Sequence, residues 1–301
     1  LIPLGARVTL LAHSTSNYMF MQDIVKTAEQ EKVELNFTLG DIRNYEQMLK
    51  LVKGQDCIFN LAAQVSHQDK GVTSLDDVDI NARGQMTFLE AVGQKCPETK
   101  IVFSSTRMVY GDDVKSPIIE RAQTNPLTDY GIHKLAGEKY HLVRHRRNGL
   151  RATILRIANP YGDRQHFSRG LYSLPGFFLR QAMNGQREII KSDGTQLRDY
   201  IYIGDLVDAM LRAGASDTTN GKIYNVGSGV KSTFENMLYA ISHTVGTADW
   251  FAYAAKPVAE TDGYYFDITR ITQDLGWKPS TALTDGVRRM HAFAEKYPCK
   301  S

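Results

Sequence analysis

The sequence predicts an α/β chain built on a doubly wound parallel sheet, with a smaller unit towards the C-terminus. Two observations carry that fold class. Over roughly the first 160 residues, strand-length apolar runs alternate with helical patterns, and the runs are too uniformly apolar for strands with one wet face, so both sheet faces must be covered. Beyond that point the alternation loosens into aromatic, Pro- and Gly-containing stretches, YGDRQHFSRGLYSLPGFF (161–178) and FAYAAKPVAETDGYYF (251–266). The expected division is therefore 1–160 for the sheet unit and 161–301 mainly for the smaller one, with some of its segments returning to the first.

Taken in order, the strands are expected at ARVTLLA (6–12), VELNFTL (33–39), DCIFNLAA (56–63), KIVFSS (100–105) and RATILRI (151–157). Branched and aromatic side chains of this kind fit a pleated, buried surface. Helices are expected between them at YEQMLKLV (45–52), INARGQMTFLEAVGQ (80–94) and HKLAGEKYHLVRHRR (133–147), where apolar residues recur at helical spacing. Asn148-Gly149 is a stop signal for the last. There is no internal repeat and no low-complexity tract.

Composition excludes several classes of function. With 301 residues, 42% hydrophobic and 23% charged, the chain has ordinary globular composition and can bury a full core. A net charge of +3 with dispersed basic residues leaves no nucleic-acid footprint, and the one basic cluster, RHRR at 144–147, suits a solvated helix end. Cys57, Cys96 and Cys299 are too few and too scattered for a disulfide framework or a zinc site, so no metal is expected and a reducing, cytoplasmic setting is. No apolar run has the length of a membrane span, and the N-terminus lacks a signal-peptide pattern.

The chemistry concentrates in two short stretches, SSTRMVYG (104–111) and YGIHK (130–134). Tyr130 and Lys134, four apart on a helix, share one face, which places an ammonium beneath a phenol. A free Tyr ionises near pH 10 and is a poor base, but a neighbouring cation favours its phenolate. Thr106, at the end of an apolar run, adds a hydroxyl for the same substrate oxygen. The three together suit removal of a proton from a sugar or alcohol hydroxyl as hydride leaves its carbon.

Thr106, Tyr130 and Lys134 in that order resemble the catalytic triad of the extended short-chain dehydrogenase/reductases, in their NAD-dependent nucleotide-sugar epimerase and dehydratase branch. Six further blocks agree: GDIR (40–43), NLAAQ (60–64), LRIANPYG (155–162), RDYIYIGD (198–205), IYNVGSG (223–229) and DLGWKP (274–279). The resemblance implies a Rossmann-type sheet binding NAD, a nucleotide-diphosphate sugar as substrate, and a homodimer. Cofactor contacts are implied for Asp41, Ile42, Leu61, Ala62, Ala63 and Gln64, together with Tyr130 and Lys134; substrate contacts are implied for Thr106, Asn159 and Arg198. The competing reading of Arg198 is an ion pair with Asp199 or Asp205.

Four departures qualify the resemblance. The glycine-rich strand-turn-helix that opens the family is absent before LIPLGARVTLLAH, which reads as helix end, turn and second strand; a preceding segment of some twenty-odd residues is the expectation. Where the family carries a ribose-binding Asp, this chain has Ala12 followed by His13 and Ser14, so NADP is possible, with His13, Ser14 and Ser16 as donors to its 2′-phosphate. A second diphosphate-binding Arg common in the family is missing, and Lys256 is the nearest cation. Finally, Arg107 and Met108 stand where 4,6-dehydratases carry an acidic pair after the Thr; neither shuttles protons at neutral pH. That favours epimerisation at carbon 4, or at carbon 2, whose CDP-sugar epimerases resemble this chain in a polar-basic pair and in GDRQHF (162–167). Dehydratase, keto-sugar reductase and a non-catalytic nucleotide-binding module remain as alternatives.

Overall fold

A computed structural model describes residues 1–13, 21–65, 73–165, 174–254 and 263–297. The first half alternates as its sequence requires: β1 (Val8–Ala12), α1 (Met21–Gln30), β2 (Leu35–Leu39), α2 (Tyr45–Leu51), β3 (Cys57–Asn60), α3 (Ser74–Val78), α4 (Gly84–Lys95), β4 (Lys100–Thr106), α5 (Asp129–Asn148) and β5 (Ala152–Ile157). The second half holds β6 (Asn159–Tyr161), α6 (Leu174–Met183), β7 (Glu188–Ile190), β8 (Leu197–Arg198), β9 (Tyr200–Tyr202), α7 (Ile203–Ala215), β10 (Lys222–Val226), β11 (Ser232–Thr233), α8 (Phe234–Val245), β12 (Phe251–Tyr253), α9 (Thr269–Leu275) and α10 (Leu283–Lys296). The fold is a Rossmann-type, doubly wound α/β architecture.

All five expected strands form, and all their pairings are parallel. The ladder is divided, however. β10, β5, β4 and β3 make one sheet in that order, while β1 pairs only with β2. Alternation along β4 explains why its residues are apolar throughout. Val102 joins the cluster that includes Ala209 and Ala213 of α7, whereas Ile101 joins Phe88, Leu89 and Val92 of α4 on the opposite face. β10, from the second half, pairs in parallel with β5. The smaller unit has its own core, in which Phe178, Phe234, Leu238, Trp250 and Met290 join α6, α8 and α10.

Helix boundaries follow capping chemistry. Thr128 accepts from the Gly131 N–H at 3.1 Å to start α5, and Gly149 ends it at φ 72°. The stretch 79–83 ahead of α4 is a π-helix, an irregularity that helical spacing alone does not reveal.

Candidate active site

The carboxyl end of β4 meets the first three turns of α5. Gly137 permits the close approach, because a Cβ there would lie 2.7 Å from the Phe103 ring. Tyr130, Lys134 and Glu138, each one turn after the last, therefore face Ser104, Ser105 and Thr106. Lys134 donates from Nζ to the Ser104 carbonyl at 2.7 Å and lies 5.8 Å from the Tyr130 ring centroid. Ser105 donates from Oγ to Glu138 Oε1 at 2.5 Å. Thr106 accepts from the Met108 N–H at 3.3 Å and caps the short 3₁₀ turn Arg107–Val109. Lys134, with Tyr130 beside it, thus reaches the strand that ends in Thr106.

The electrostatics differ from expectation in one respect. Burial, with the Asp77 carboxylate adding to it, pushes the Tyr130 phenol up to about 12 rather than down. Burial also pulls the Lys134 amine down to about 7, with Glu138 working the other way. Lys134 thus loses its proton well before Tyr130 would ionise, and the pair alone does not make a base.

Behind the pair lies a buried ionic network that the sequence reading missed. Glu138 is fully buried and receives the Arg156 fork at 2.9 and 2.6 Å; Arg156 in turn stacks 4.7 Å from the Tyr110 ring centroid. The available signals were a Glu four residues after Lys134 and an Arg inside an otherwise apolar strand.

The other expected cofactor residues follow the carboxyl ends of β1, β2 and β3, and in a doubly wound sheet ligands bind outside the carboxyl ends of the strands. His13 Nε2 lies 3.8 Å from Asp41 Oδ2. Asp41 is forked by Arg43 at 2.6 to 3.0 Å, and that guanidinium holds its carboxyl below the usual range. Ile42 buries its side chain in the α2/α4 core, so its contribution to a site there is backbone. Leu61 is exposed, and Ala62, Ala63 and Gln64 are half-buried. This segment is stapled from behind: Asn81 exchanges two hydrogen bonds with the Gln64 backbone, and Gln85 donates to the Ala62 carbonyl at 3.2 Å. Ser14, Ser16 and Lys256 lie outside the described residues.

On the substrate side, Asn159 accepts from Arg107 Nε at 2.9 Å and donates to the Asp199 carbonyl at 2.9 Å. Arg198 donates to the Leu197 carbonyl and to Gln196 Oε1, both at 3.0 Å. The ion pair considered for it with Asp199 or Asp205 is not formed. Asp199 is buried and collects Ser228 N, Ser228 Oγ, Gly229 N and Phe266 N, while Asp205 holds Ser280 and Thr281. Tyr161, Phe177 and Tyr200 are core aromatics.

The profile of the NAD dependent epimerase/dehydratase family matches residues 2–227. The chain belongs to this family. It is 30% identical over 240 residues to UDP-glucose 4-epimerase of Mycolicibacterium smegmatis, covering 79% of this chain and 75% of that one. It is 29% identical over 286 residues to CDP-paratose 2-epimerase of Salmonella typhi, covering 85% and 83%. The UDP-glucose 4-epimerase of Thermotoga maritima, solved with UDP-glucose, superposes with a TM-score of 0.84 at 25% identity, covering 96% of this chain and 99% of that one. Among the described residues of this family member, no helix is long and apolar enough to cross a membrane.

Proposed function

We propose that this chain is an NAD-dependent nucleotide-sugar epimerase acting at carbon 4, with carbon 2 as the second position to test. The observation that supports this reading is the docking of Lys134, beside Tyr130, on the strand that ends in Thr106, with Arg107 and Met108 after that Thr instead of an acid and a base. Tyr130 takes the proton from the substrate hydroxyl, Thr106 holds that oxygen, and Lys134 orients the cofactor ribose. Lys134 fits that role: its buried amine has three donors in the charged form and one described acceptor. The backbone held by Asn81 and Gln85 fits the same cofactor, as does the placing of Ala62 and Gln64 at the end of β3. Bound NAD supplies a hydride acceptor and a positively charged ring that favours the Tyr130 phenolate. Asn159 and Arg198 hold the diphosphate, where a guanidinium fork suits phosphate oxygens.

NADP is the second cofactor to try, since Ala12 offers no carboxylate and Arg43 already occupies Asp41. A homodimer is the assembly we propose, because Ile132 and Val143 on one side of α5, and Leu75 and Val78 on α3, are exposed. Light scattering of the purified protein tests it. Incubating the protein with UDP-, dTDP-, CDP- and GDP-sugars and reading the products by NMR tests the reaction. Inversion at one ring carbon with no loss of water is expected. Accumulation of a 4-keto-6-deoxy sugar overturns the epimerase reading in favour of a dehydratase.

A further inference from the structure

Arg107 supplies neither an acid nor a base for elimination, but its placement also gives it something to bind. It follows Thr106 directly, and its side chain lies between Asn159 and Tyr264. Three contacts fix it in place. Its carbonyl accepts from the Tyr264 hydroxyl at 2.7 Å, its Nε donates to Asn159 Oδ1 at 2.9 Å, and its guanidinium carbon lies 5.5 Å from the Tyr264 ring centroid, with Nη1 3.4 Å from the Tyr264 hydroxyl oxygen. All these partners are neutral. A guanidinium has five N–H donors, and those contacts use two.

No carboxylate of the described residues lies within ion-pair distance of Arg107. Asp199, whose backbone carbonyl holds Asn159, spends its side chain on four donors of its own. The exposed Asp112 acts on Tyr264 from outside. A second cation converges on the same place. Burial holds the Tyr200 and Tyr264 phenols protonated, and both Arg198 and Arg107 work against it. A half-buried guanidinium with no carboxylate beside it among the described residues is costly. Such an arrangement is preorganised for anionic ligands. In the function proposed above, Arg198 answers the diphosphate. A neutral hexose would leave Arg107 without a counter-charge.

We propose that Arg107 binds a carboxylate on the sugar beside the reacting carbon, and that nucleotide-linked uronic acids are the preferred substrate class. This rests on the nucleotide-sugar reading and adds the charge of the sugar to it. The fork of N–H donors matches a carboxylate in two parallel hydrogen bonds, which a hydroxymethyl group cannot accept.

Calorimetric titration of the NAD-loaded protein with UDP, UDP-glucose and UDP-glucuronate tests the proposal. UDP-glucuronate is expected to bind about tenfold or more tightly than UDP-glucose, the range of a charge-assisted hydrogen-bonded pair. In Arg107→Gln that ratio should collapse towards one, and in Arg107→Lys it should survive in part, because the charge remains. Thermal melts establish that both variants are folded; an unfolded Arg107→Gln shifts the decision to the wild-type ratio and Arg107→Lys. Equal affinity of the wild type for the two sugars overturns the proposal. So does a variant that weakens UDP as much as UDP-glucuronate, which would assign Arg107 to the diphosphate. Failure of all three ligands to bind is a different result, and it removes the nucleotide-sugar reading as well.

Discussion

Burial disfavours the charged forms of both Tyr130 and Lys134, pushing the phenol up to about 12 and the amine down to about 7, where a good part of it still carries its proton. Catalysis by this pair therefore depends on positive charge arriving with the cofactor. Tyr130→Phe keeps the ring and removes only the ionisable oxygen, so it should bind NAD normally and lose on the order of hundredfold or more in turnover. Unchanged turnover would remove Tyr130 as the base. Lys134→Met removes a cation that favours the phenolate. The rise of kcat/KM with pH should accordingly move to higher pH in that variant, and an unmoved profile would deny Lys134 that role. Residues of this kind were legible in the sequence because a four-residue helical spacing and the end of an apolar strand are local signals. Ile42 was less so. Its motif is recognisable, but only the packing of α2 and α4 shows that its side chain is core.

Between α5 and β4, the contact is read at successive points: Lys134 on Ser104, Glu138 on Ser105, and the Gly137 backbone against Phe103. The Glu138–Arg156 pair fixes that register from behind, with side chains 0% and 2% exposed. Removing one partner of a buried pair leaves an uncompensated charge, so Glu138→Ala should cost about 3 to 5 kcal/mol. Urea denaturation measures it; a loss below about 1 kcal/mol would mean water solvates Arg156 in the variant. The elements themselves were legible, since their periodicity is local. The pairing of Glu138 with Arg156 was not, because it joins a helix to the following strand across the sheet layer. The staples from Asn81 and Gln85 escaped because they too join distant segments, and the π-helix at 79–83 because helical spacing does not reveal it.

For the molecule as a whole, acid stability should turn on His141. It is fully buried, stacked on Phe103 with centroids 4.5 Å apart, and bonded through Nδ1 to the Gly137 carbonyl. Burial lowers its pKa from 6.5 to about 4. Between those values the unfolded chain binds the extra proton and the folded chain does not, so stability falls as pH drops from 6.5 towards 4, by roughly 3 kcal/mol from this group. His141→Gln should flatten that part of the urea-midpoint profile; identical slopes would assign the acid sensitivity elsewhere. The fold class was legible at this scale; that β10 from the second half pairs with β5 is set by the structure. The division of the sheet was not, because hydrogen-bond partners are set by the whole chain. It also has a colloidal consequence. Among the described residues, β1 and β3 each keep one edge without a strand partner, and Leu11, Phe37, Leu39 and Leu61 beside them are exposed. An open parallel edge flanked by apolar side chains accepts any extended chain that reaches it.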